Sequence, residues 1–117
     1  TNMLWWHKEL WLIDHGASLY FHHNWQSMTD PAKPFPAIKD HVLLSRANRL
    51  EDIDEKCRAA LTRTRIDEIV DLIPVERLED EPAFNSVSEH RKAYTDFLEQ
   101  RSAQSRIFID YARTLSV

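Results

Sequence analysis

The chain has 117 residues, of which 43% are hydrophobic and 29% charged, with a formal net charge of -4 and a pI near 5.8. That size fits one domain over 1–117 and leaves no room for a two-lobed active site, and the acidic balance provides no basic field to draw nucleic acid or an anionic membrane. No apolar run approaches the roughly 20 residues of a membrane span, no signal-peptide pattern is present, and the single Cys57 excludes an internal disulfide and fits a reducing, cytoplasmic setting.

In chain order, Met3 to Trp6 and Leu10 to Asp14 are short apolar runs around His7-Lys8-Glu9. They read as a β-hairpin with Lys8-Glu9 at its tip. Both strands are apolar nearly throughout, so both faces are expected to be covered. Ser18 to Trp25 is aromatic and His-rich; if it is extended, His22 and His23 point to opposite faces. Pro31, Pro34 and Pro36 exclude regular structure over 26–36. From Pro36 a helix is expected, with Ile38, Val42 and Leu43 on one face.

The 3.6-residue period of Leu50, Ile53, Cys57, Ala60 and Leu61 predicts a second helix, with Cys57 an inert core thiol on its apolar stripe. Thr64-x-x-Asp67 resembles a capping box and opens a third helix carrying Ile66, Ile69, Val70 and Ile73, which Pro74 stops. Ser86-x-x-Glu89 is a fuller capping box. Its helix is expected to run to about Leu115, with Glu99 to Arg106 either breaking it or facing solvent. The fold class is therefore mainly α with a small N-terminal β-hairpin, residues 36–117 forming a helical scaffold.

The chemistry concentrates in the first 25 residues. Gly16 is the chain's one glycine, against a usual share of about 7%, so it is expected where a positive φ, a turn or a close approach requires it. Asn2 precedes the first strand and Asp14 closes the second, and antiparallel pairing brings those ends together. An Asn amide oxygen and an Asp carboxylate are hard ligands suited to Mg²⁺, which is what phosphoryl transfer uses. On spacing alone, a plain turn at Asp14-His15-Gly16 and a frayed terminus at Asn2 are the favoured reading.

His15, His22 and His23 near Asp14 offer transition-metal donors, but without a ligand spacing such as His-x-x-x-His, and packing is the favoured role. Trp5, Trp6, Trp11, Tyr20, Phe21 and Trp25 lack the interleaved basic residues of a nucleic-acid stacking platform; they are read as core, or as surface covered by another lobe. Arg46, Arg49, Arg58, Arg63 and Arg65 alternate with acids and read as a solvated face.

Asn2-Met3-Leu4, then a turn, then Leu12-Ile13-Asp14-His15-Gly16, resembles a segment of phosphatidylinositol 3-/4-kinase-like kinases. It is more similar still to HipA-like kinases of bacteria, whose strand ends in Ile-Asp-x-Gly and where His can stand at the position of the eukaryotic Phe. The specific likeness covers residues 2–25. It implies the helical C-lobe portion of a protein-kinase-like fold, with residues 1–25 forming the metal-binding hairpin and the start of the activation segment.

The implied activity is Mg²⁺-dependent transfer of the ATP γ-phosphoryl group to a protein Ser/Thr. Asp14 would bind the metal across the phosphates, Asn2 would hold a metal ion from the other side, and Gly16 would permit the turn that aims Asp14. The family's catalytic Asp, expected a few residues before Asn2, is absent, as are the nucleotide-binding Lys and the N-terminal lobe. The chain is thus expected to be a fragment, inactive by itself, with that lobe, ATP and a protein substrate as partners. The alternatives are a non-catalytic helical interaction module or degenerate kinase binding through its aromatic surface, and a lipid kinase.

Overall fold

The computed structural model describes residues 2–28 and 30–116, with the side chains of Ala17 and Tyr20 outside that description. It is mainly helical, with a two-stranded antiparallel sheet at the N-terminus. Strand β1 (Met3–Trp6) pairs with β2 (Glu9–Leu12) in the register Met3↔Leu12 to Trp6↔Glu9. The connection is the two-residue turn His7-Lys8, both residues left-handed at φ 50° and 65°. Two successive positive φ values match the twist of paired strands, which is why the turn closes one residue earlier than expected and Glu9 joins β2.

The hairpin is not covered as its composition implied. Trp5 is 68% exposed, Leu12 64%, Leu10 57% and Trp6 56%. A two-stranded sheet shields neither of its faces, and the described helices pack on one another instead. Such a surface drives association. The double variant Trp5→Ser, Trp11→Ser is expected to shift sedimentation of the chain toward monomer without lowering its thermal midpoint. A wild-type chain that sediments as a monomer at all concentrations would contradict this.

Short 3₁₀ turns fill most of residues 15–27 and 36–46. The helix expected from Pro36 is a 3₁₀ stretch ending at Asp40, after which His41 is extended. The His41 Nδ1 accepts the Leu43 N–H at 3.2 Å, removing a donor that a continuing helix would use. Val42 and Leu43 consequently face solvent, and Leu44 is the residue buried.

Helix α1 (Leu50–Ala60) buries a different face from the one its apolar stripe marks. Asp54 is buried and accepts from Arg58 Nε at 3.1 Å, while Ile53 and Cys57 are exposed. The helix is turned by about one residue, so Cys57 is a surface thiol rather than a core one. Helix α2 (Arg63–Asp71) is capped by Thr62, whose Oγ1 accepts the Arg65 N–H, two residues before the expected box. Ile66 and Val70 are buried, Ile69 is exposed, and Pro74 follows the helix as a stop.

Helix α3 (Val87–Ala103) starts at the Ser86 cap, whose Oγ accepts the Glu89 N–H at 3.1 Å. Glu89 returns its carboxylate to the Asn85 N–H at 2.9 Å, one residue ahead of the cap. Ser86→Ala is expected to cost about 1 kcal/mol in urea denaturation; a loss below about 0.3 kcal/mol would show that the cap contributes nothing. A break at Gln104-Ser105 separates α3 from α4 (Arg106–Leu115), one of the two outcomes expected for that polar stretch.

The core forms where α3 meets the turns of residues 18–27. Phe21, Trp25 and Phe97 are buried there, with Leu19, Phe84, Tyr94 and Leu98 packed against them. The buried His90 ring stacks between Phe84 and Tyr94, and its Nδ1–H donates to the Leu78 carbonyl at 3.1 Å. Arg91 fastens α2 to α3 by donating to the Val70 and Ile73 carbonyls, at 2.6 and 2.8 Å. The Val70 carbonyl, in the last turn of α2, also accepts the Ile73 N–H at 3.1 Å, and Ile73 lies just past that helix.

Candidate functional site

Asn2 and Asp14 are brought together as the antiparallel register requires. The Ile13 N–H donates to the Asn2 carbonyl at 3.0 Å, extending the ladder past Leu12. The Asn2 side-chain Nδ2 then donates to the Asp14 carbonyl at 2.7 Å. One amide thus closes the open end of the hairpin, and its spare oxygen, Oδ1, remains available as a hard acceptor. Both side chains lie at the surface.

The backbone strain falls on Asp14, not on Gly16. Asp14 takes φ 54° and ψ 63° in the left-handed region, a conformation that Asp tolerates better than most residues. Gly16 has no positive φ, and a Cβ placed on it would meet nothing within 4 Å. Neither a turn nor a close approach therefore requires the glycine, and the expectation that Gly16 makes the turn that aims Asp14 is corrected: Asp14 makes that turn itself. The left-handed residue turns the chain sharply out of the hairpin and into the 3₁₀ turn of His15–Ala17.

The histidines have structural contacts. A His23 ring nitrogen, Nε2, lies 3.1 Å from the Gly16 carbonyl, tying the turn after Asp14 to the aromatic segment. Because that segment is a 3₁₀ turn and not a strand, His22 and His23 do not diverge; their ring centroids lie 4.0 Å apart. Among the described residues no group of three or more His, Cys, Asp and Glu side chains is placed to hold a metal. Asn2 and Asp14 nevertheless fit Mg²⁺, which takes one or two protein oxygens and completes its shell with phosphate and water.

The aromatics divide. Phe21 and Trp25 are core, whereas Trp5, Trp6 and Trp11 on the hairpin are exposed. Four of the five clustered arginines are paired: Arg49 with Asp52, Arg58 with Asp54, Arg65 with Glu68, and Arg63 with Asp67, Asp96 and Glu99. The Glu99 hydrogen bond chiefly raises the Arg63 pKa above its ordinary value. These pairs occupy the charges that a phosphate patch would need.

No family model matches this chain, and no curated protein or solved structure matches it.

One cavity was not anticipated from the sequence. A cavity of about 720 Å³ opens beside Asn2, between α3 and the proline-rich segment 30–37. Its far wall is held by Arg101, whose guanidinium donates to the Pro31 and Lys33 carbonyls at 2.7 and 2.6 Å and lies 4.1 Å from the centre of the Phe108 ring. Burial lowers the Arg101 pKa from its ordinary value. The prolines indicated only that 26–36 is irregular.

Proposed function

We propose that the Asn2–Asp14 corner holds Mg²⁺ against the phosphates of ATP, as part of a HipA-like kinase that transfers the γ-phosphoryl group to a protein Ser/Thr. The observation that carries this reading is the closure of the hairpin end, in which Asn2 Nδ2 donates to the Asp14 carbonyl at 2.7 Å. It brings the Asn2 side chain against the main chain of Asp14 at the open end of the hairpin, with both residues at the surface. Bound there, the metal would neutralise phosphate charge as it develops during transfer.

The residues of this chain have separable roles in that scheme. Asp14 supplies the charged ligand and Asn2 the neutral one, while the left-handed backbone of Asp14 sets the direction in which its carboxylate leaves the hairpin. His23, through Gly16, holds the following turn in place. In the HipA-like kinases that this segment resembles, the base that receives the acceptor hydroxyl proton and the Lys that contacts the nucleotide precede the position matched by Asn2.

The test is label transfer from γ-labelled ATP with Mg²⁺, using a form of the protein extended upstream, with Asp14→Ala as control. Label that vanishes with Asp14→Ala supports the kinase reading. No label from a folded, nucleotide-saturated protein favours the second reading, a protein-interaction module. The exposed Trp5, Trp6 and Trp11 are the observation behind that alternative.

A further inference from the structure

The cavity reaches Asn2, one of the two residues of the proposed metal corner; Asp14 is not in its lining. Leu19 and Phe21 come from the chain that leaves Asp14, Phe97 and Leu98 from α3, and Phe35 from the proline-rich segment. Those five side chains make its walls largely apolar, and its volume lies within the range that ligand sites occupy, about 300–1,000 Å³. Asn2 belongs both to this lining and to the metal-holding corner. Whatever fills the cavity therefore ends next to the phosphates in the kinase reading.

The charges lining the cavity choose the occupant. They are Asp30, Lys33 and Arg101. One oxygen of the Asp30 carboxylate accepts the Ala32 N–H at 2.8 Å, capping its own turn, and the group keeps its charge. Arg101 is occupied by two backbone carbonyls and the Phe108 ring. Among the described residues Lys33 makes no such contact, and with Arg101 it outweighs the single carboxylate of Asp30, so the cavity offers an apolar interior with a net positive rim. An apolar side chain followed by a carboxylate complements both.

We propose that this cavity seats the acceptor segment of the protein substrate, a large apolar residue near the Ser/Thr entering between Phe35 and Leu98 and an acidic residue pairing with Lys33. The assignment rests on the kinase reading of Asn2 and Asp14 and makes that reading more specific. It places substrate selection on Lys33 and Phe35, both exposed and neither a metal ligand.

Binding of fluorescein-labelled peptides to the chain, measured by anisotropy without nucleotide, tests it. The probe peptide carries one Ser beside a Leu-Phe pair and a Glu; one control replaces Leu-Phe by Ala-Ala and another replaces Glu by Lys. The Ala-Ala control is expected to bind at least about tenfold more weakly, and the Lys control about two- to fivefold more weakly. Phe35→Ala is expected to weaken the probe, and Lys33→Glu to reverse the preference between the Glu and Lys peptides. Because both side chains are exposed, circular dichroism should show each variant folded.

Equal binding of all three peptides, no detectable binding, or loss through Trp5→Ser instead would overturn the proposal. The two readings fail separately. If Asp14→Ala leaves label transfer unchanged while the peptide pattern holds, the metal assignment is wrong. If transfer depends on Asp14 but Lys33→Glu leaves peptide preference unchanged, the cavity assignment is wrong.

Discussion

Asp14→Ala is expected to lower γ-phosphoryl transfer by the upstream-extended protein by at least about a thousandfold. That figure follows from the cost of removing preorganised charge stabilisation, roughly 10²–10³ for one neutral donor and more for a ligand that fixes a dication. A thousandfold corresponds to about 4 kcal/mol of transition-state stabilisation. Asp14→Asn keeps the size and the tolerance of the left-handed backbone but removes the charge, so its loss should approach that of Asp14→Ala. Asn2→Ala should cost less, because it removes a neutral ligand and one hydrogen bond while the carboxylate remains. The Mg²⁺ dependence separates these roles: both variants should need more metal for half-maximal rate if the side chains ligate it. A variant whose rate falls with no change in metal requirement would place Asp14 in a purely structural role.

Phe21→Ala is expected to destabilise the chain by about 3–5 kcal/mol in urea denaturation. Phe21 is 3% exposed, and its ring lies 4.2 Å from the centre of Phe97 and 5.0 Å from that of Trp25. Little of the described core can close over the space left, because the surrounding turns are short 3₁₀ pieces fixed by their own hydrogen bonds. A domain of this size has about 5–15 kcal/mol in all, so the variant should sit near the edge of folding at 37 °C. The midpoint should fall with an unchanged denaturant slope. Phe21→Leu, which keeps most of the apolar volume, should lose much less. A Phe21→Ala loss below about 1 kcal/mol would mean that the 18–27 turns are not docked on α3 as described.

Local interactions were the part of the fold legible from sequence. The hairpin followed from two apolar runs and a short polar link. The Ser86 cap followed from a spacing that involves four consecutive residues. The juxtaposition of Asn2 and Asp14 followed from strand pairing alone. What depended on distant contacts was not legible. The hairpin composition implied cover on both faces, yet cover is a property of what packs there, and residues 3–6 and 9–12 cannot specify it. In α1 the buried residue is Asp54, paired with Arg58, while Ile53 and Cys57 are exposed; which face is covered depends on the packing of α1 on α4 and α3, which the stripe does not record.

The α2 start shifted from Thr64 to Thr62 because either threonine can cap. The earlier one places Arg63 within reach of Asp67, Asp96 and Glu99. Gly16 misled for a different reason. Its rarity is a statement about composition, whereas backbone geometry fell on the neighbouring Asp14, which can adopt a left-handed conformation without being glycine.

Arg101 grips residues 31–33 through main-chain oxygens alone, across about seventy positions of sequence. A grip of that kind is blind to the side chains it holds. The segment is therefore free to exchange its outward-facing residues over evolutionary time without losing its place against α3. Drift is confined to what the segment presents, while Arg101 itself is the position that should resist change, including replacement by Lys, which lacks the planar fork of donors.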